Sequence, residues 1–195
     1  MKLIEDGFFK RNKKIILITV LIMLGSAVVG AGIGFINGEG KYNQISDNLR
    51  TLQSNDGETV ETSSLFLFIH NLTADLIIII GGILFSIISV ISVIFNGVMI
   101  GTPFGVDLAF AASSILPHAI IEYLAGALAL AAAFKITQLE IKIIKNRNLR
   151  DTLSENKVFI KDIAVIIIIM IVLLAVAAII EGHITPRIVT WYYGL

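Results

Sequence analysis

Residues 105–134 read GVDLAFAASSILPHAIIEYLAGALALAAAF, and how this stretch is threaded decides the fold. It is apolar enough for lipid, yet it carries Asp107, Pro117, His118 and Glu122. A helix crosses the ~30 Å hydrocarbon core with about 20 apolar residues, so this run is too long for one ordinary crossing. Pro117, near its middle, removes a backbone hydrogen bond and clashes with the preceding turn. At 1.5 Å per residue, 105–116 would span about 18 Å as helix and 118–134 about 25 Å. Both fall short of the core. A split or re-entrant helical hairpin tipped by Pro117-His118 is therefore expected, with one Pro-kinked helix as the alternative. Non-helical backbone at that depth must be covered by protein or line a watery cavity.

Outward from this stretch, 15–36, 76–101 and 163–180 are long apolar runs without charge. The first has too long an apolar core for a cleavable signal, and no small-residue cleavage site follows it, so it reads as a permanent helix. None of the runs shows the period-two alternation of membrane barrels. The 195-residue chain is 56% hydrophobic, above the ~45–50% usual for soluble domains. Fifteen Lys and Arg balance fifteen Asp and Glu, so bulk charge gives no argument for nucleic acid. There is no cysteine, which excludes disulfides, thiolate metal sites and thiol catalysis.

The basic residues are unevenly placed. Residues 1–14 hold Lys2, Lys10, Arg11, Lys13 and Lys14, and 135–162 holds Lys135, Lys142, Lys145, Arg147, Arg150, Lys157 and Lys161. Residues 37–63 hold only Lys41 and Arg50 beside five acids, and the tail holds Arg187. The positive-inside rule then places the N-terminus and 135–162 in the cytoplasm, with 37–63 and the tail external. One crossing by 105–134 would put the most basic loop outside, a second reason to expect a double pass there.

The expected fold is an all-α polytopic membrane protein, with about four full transmembrane helices plus the Pro-His-tipped hairpin. It divides into a cytoplasmic interfacial segment (1–14), transmembrane helix 1 (15–36), an external polar loop (37–63), a membrane core (64–190) and an external tail (182–195). The core comprises helix 64–101, hairpin 105–134, a basic amphipathic segment 135–162 and a last helix 163–181. Ile136, Leu139, Ile143 and, loosely, Ile144 share one side of 135–150, as in a helix lying on the inner surface. Trp191, Tyr192 and Tyr193 suit the membrane interface.

Polar groups in such a chain cost several kcal/mol unless something pairs with them or uses them. His118 and Glu122 are four apart and share a helix face. Pro117 suits the first turn of that helix. The pair could form a hydrogen-bonded clamp, an ion or proton site, or part of a catalytic metal site. The clamp leads, because HxxxE lacks the HExxH pattern of zinc proteases. Asn71 and Asp75 read as helix caps at the entry to helix two. Asn96 reads as a group that satisfies broken backbone where the chain turns. Gly97, Gly101 and Gly105, like Gly30 and Gly34, are spaced for close helix packing, and Ser86, Ser89 and Ser92 add a weakly polar stripe. Glu181 closes the last run, before His183 and Pro186. If the hairpin tip points outward, His118, Glu122 and Glu181 lie at similar depth and form a candidate site.

Several pieces together resemble the stage II sporulation protein M family of integral membrane proteins. They are His70-Asn71-Leu72, Gly81-Gly82, Phe95-Asn96-Gly97 with Gly101, Leu116-Pro117-His118-Ala119-Ile120-Ile121-Glu122 with Ala125-Gly126, and Ala178-Ile179-Ile180-Glu181 with Thr185-Pro186. They run in family order over roughly 64–190. His70 stands where the family usually has a second asparagine, and Ala119 where it usually has glycine. The resemblance implies a multi-pass membrane protein. The family's namesake in endospore formers belongs to an engulfment complex with a peptidoglycan-degrading partner, a role that does not extend to the whole family.

The function expected from these readings is a non-enzymatic scaffold or assembly subunit of a membrane complex, without cofactor or catalytic metal. Its expected partners are the lipid bilayer, membrane-complex proteins and further copies of the chain, and not nucleic acid. A small-solute or ion transporter using the polar site is the first alternative, and an intramembrane hydrolase the second.

Overall fold

A lipid core offers no water to backbone groups, so each apolar run must satisfy them within itself as helix. The computed structural model describes residues 4–38 and 63–193. Among these the elements are α1 (Phe8–Asn37), α2 (Ser64–Ile80) with a 3-10 turn (Gly81–Leu84), α3 (Ile87–Val106), α4 (Leu108–Ser114) and α5 (Leu116–Asn146). They continue with α6 (Leu149–Glu155), α7 (Lys157–Ile179), a π-helical turn (Ile180–Ile184) and α8 (Thr185–Tyr193). Among the described residues, five stretches are long and apolar enough to cross a membrane: Phe8–Asn37, Ser64–Leu84, Ile87–Val106, Leu116–Asn146 and Lys157–Tyr192. The expected all-α polytopic fold is therefore present. The expectation for 37–63 falls almost wholly outside the described residues.

The helix expected to run unbroken over 64–101 is instead two, and here the sequence reading is corrected. The chain turns between Gly81 and Ser86. Phe85 and Ser86 take left-handed backbone angles, φ 53 and φ 58. A side chain on Gly82 would strike the backbone of Ala133 in α5, at 2.8 Å from its Cα. Backbone groups freed by the break find side-chain partners. Ser89 Oγ donates to Ile78 O at 2.6 Å, and Thr137 Oγ1 donates to Gly82 O at 2.7 Å. Ser86 and Thr137 share a hydroxyl hydrogen bond of 2.7 Å. Ser86 and Ser89 of the serine stripe thus serve a turn, which is what lets the backbone reverse at low cost.

The break before Pro117 is also present, but its arms are unequal. α4 has 7 residues and α5 has 31, with Pro117 in the first turn of α5. Asp107 caps α4 by accepting from Phe110 N at 3.0 Å. The double pass expected of 105–134 is not seen: among the described residues the additional long apolar helix arises from the turn at 81–86, not from Pro117. Residues 135–146 continue α5 and do not form a separate surface helix. Asn148 then caps α6, accepting from Asp151 N at 3.2 Å.

α5 is the central helix. Every residue from 125 to 133 is buried, most of them alanine. A helix apolar on all sides is stable where neighbours surround it, and α1, α2 and α7 pack around this one. Small side chains let those neighbours come close. The glycine spacing has the same purpose between α1 and α3, the most intimate pair in the bundle. Gly97, Gly101 and Gly105 face Ser26, Ala27 and Ala31, while Gly30 and Gly34 face Val98 and Thr102.

Candidate functional site

Three helical segments each present a polar pair at i, i+4 spacing: Asn71 and Asp75 from α2, His118 and Glu122 from α5, and Glu181 and Thr185 from the C-terminal segment. That spacing aims both members of a pair at the same neighbour. The pairs meet. Asn71 Nδ2 donates to Glu122 Oε1. His118 Nδ1 and Thr185 Oγ1 share a hydrogen bond of 3.2 Å. His118 Nε2 lies 3.9 Å from Glu181 Oε1. Tyr123, next along α5, donates to Gly97 O of α3 at 3.2 Å.

The π-helical turn positions the third pair. Pro186 cannot donate to the carbonyl of Gly182, and its ring crowds that turn, so the helix widens there. Gly182 lets Ser64 approach closely, and Ser64 Oγ shares a 3.0 Å hydrogen bond with His183 Nδ1.

The cap reading of Asn71 is corrected. α2 begins at Ser64, so Asn71 lies well inside the helix and its amide crosses to α5. Asn96 is half-buried in α3 and takes no part in these hydrogen bonds. Gly97, Gly101 and Gly105 lie against α1, at Ser26, Ala27 and Ala31. Ser113 and Ser114 donate to carbonyls of their own short helix, Ala109 and Phe110. Among the described residues, no three His, Asp or Glu side chains are arranged to hold a metal ion. At this site Asp75 is 6% exposed, and among the described residues its Oδ2 has no hydrogen-bond partner.

A second polar cluster, absent from the sequence reading, sits at the opposite end. Arg11 grips Asp162 with two hydrogen bonds, Nε to Oδ2 at 2.9 Å and Nη2 to Oδ1 at 2.8 Å. Lys135 Nζ donates to Asn12 Oδ1 at 2.7 Å, lies 3.7 Å from Asp162 Oδ2, and stands 3.9 Å over the Phe159 ring. Lys161 pairs with Glu5 at 2.5 Å. These contacts bring the start of α1, the start of α7 and the basic half of α5 to one end of the bundle. The two basic segments are thus neighbours in space.

An uncharacterized protein of Methanocaldococcus jannaschii is 29% identical over 165 residues, covering 82% of this chain and 91% of the relative. No solved structure matches. The family model described as Stage II sporulation protein M matches residues 13–186, from the first apolar helix through the π-helical turn that carries Glu181. The chain belongs to the stage II sporulation protein M family.

Proposed function

We propose that this chain is a non-enzymatic scaffold or assembly subunit of a membrane complex. It would sit in the cell membrane with its N-terminus and residues 135–162 cytoplasmic, and with residues 37–63 and the tail external. The observation that carries this reading is the cross-helix pairing of the polar site. Asn71 with Glu122, and His118 with Thr185 and Glu181, join α2, α5 and the C-terminal segment. Interhelical hydrogen bonds in lipid contribute about 0.6–2 kcal/mol each, so such a clamp fixes one arrangement of the bundle for partners to dock on.

A second reading, a cation or small-solute transporter, draws on the partnerless Oδ2 of Asp75. A buried carboxylate oxygen in lipid calls for a proton or a cation. Substitution of Glu122 separates the two. Glu122→Gln keeps an acceptor for Asn71, so a scaffold variant should retain partner co-purification and stay within about 1 kcal/mol of the parent in thermal unfolding. Glu122→Leu strands the Asn71 amide and should cost about 1–3 kcal/mol. Cation flux in proteoliposomes that Glu122→Gln abolishes, in a protein of unchanged stability, would favour the transporter and overturn the scaffold.

A further inference from the structure

At the end of the bundle opposite the clamp lies an open groove of about 780 Å³ between α1, the turn at Phe85-Ser86, α5 and the start of α7. Pockets for small ligands run from about 300 to 1,000 Å³. Its chemistry is divided. Arg11, Lys14 and Lys135 face Asp162 and Glu155 across it, three cations to two carboxylates, which leaves one positive charge. Asp162 holds Arg11 and Lys135. Lys14 is exposed, and among the described residues no hydrogen bond or ion pair engages it. Gln138 and the Ser86–Thr137 hydroxyl pair add neutral polar groups.

The walls are apolar, with Ile15, Ile18, Phe85 and Phe134. Ile15 lies one turn beyond Arg11 on α1, and Ile18 one turn beyond Lys14, so they share its faces. Each step along α1 leads away from the charged end, so the cations mark a polar mouth and the apolar wall runs on toward the hydrocarbon. Ile18 and Phe85 are 42% and 52% exposed. A groove with a net positive, polar mouth and a lipid-directed apolar wall is complementary to an amphiphile with an anionic head. Basic pockets between membrane helices bind such headgroups.

We propose that this groove holds one anionic phospholipid, its phosphodiester at Lys14 and the top of its chains along Ile15, Ile18 and Phe85. One net positive charge matches one phosphodiester, so an anionic headgroup is preferred to a zwitterionic one. The site is independent of the scaffold reading.

Native mass spectrometry of the full chain in detergent, titrated with phosphatidylglycerol or phosphatidylcholine, tests this. One phosphatidylglycerol per chain should be retained in preference to phosphatidylcholine. Lys14→Gln should weaken retention about fivefold, as expected for one interfacial cation. Ile18→Trp should reduce it by filling the groove, and Lys13→Gln, outside the lining, should leave it unchanged. Equal retention of the two lipids, or phosphatidylglycerol retention unaffected by both Lys14→Gln and Ile18→Trp, overturns the proposal. Saturable binding of inorganic phosphate without lipid retention also overturns it, assigning the cations to a free anion.

Discussion

Asp162→Ala is expected to destabilise the folded chain by about 3–5 kcal/mol, the cost of removing one partner from a buried ion pair. Asp162 is 2% exposed and accepts two hydrogen bonds from Arg11. Lys135, 4% exposed, lies 3.7 Å from the same carboxylate. Without Asp162 the Lys135 ammonium keeps only Asn12 and the face of Phe159. Arg11 is better placed, since its side chain is 36% exposed and can turn to water. The loss should therefore arise chiefly at Lys135. The double variant Asp162→Leu, Lys135→Met should recover most of it, because an apolar pair of similar volume has no charge to satisfy. Thermal unfolding in detergent, with all variants at one lipid content, measures both steps. A double variant as unstable as Asp162→Ala would locate the loss outside Lys135, at Arg11 or at the buried Asn12 oxygen that loses its donor.

Gly101→Val is expected to cost about 3 kcal/mol, at the upper end of the overpacking range. A side chain at Gly101 would meet the backbone of Ala27, at 2.8 Å from its Cα and 2.7 Å from its carbonyl carbon. Backbone cannot rotate away as a flexible side chain can, so α1 and α3 would have to separate along their contact. Gly32→Ala on α1 is the control. Nothing lies within 4 Å of a side chain there, and removal of a mid-helix glycine should be neutral or stabilise by roughly 0.5–1 kcal/mol. Comparable losses in the two variants would show that glycine flexibility, and not close approach, sets the requirement at Gly101.

The bundle was legible because lipid demands long apolar runs and the basic residues cluster where those runs end. His118 and Glu122 were legible as a pair because helical spacing alone puts them on one face. Their partners were not. A helix starting at 64 already puts Asn71 inside it, but helical spacing does not say which neighbouring helix its amide reaches. The turn at 81–86 was hidden for a different reason. It carries no charge or proline, so hydropathy runs straight through it, and only Gly81-Gly82 with the following serines marks the place. Arg11, Asn12, Lys135 and Asp162 flank apolar runs and so look like interfacial residues. Only packing shows that they turn inward and meet.

The most direct test of the clamp uses the absence of native cysteine. Ala125 is fully buried, three residues beyond Glu122 and seven beyond His118 on α5. Ala125→Cys would be exposed to a membrane-impermeant thiol reagent in intact and inverted vesicles. Ser63→Cys, at an exposed position, would report that the reagent reaches the protein. A dry clamp should leave Ala125→Cys unlabelled from both sides in a protein that elutes as a single species. Labelling from either side would place water beside His118 and Glu122 and contradict the clamp.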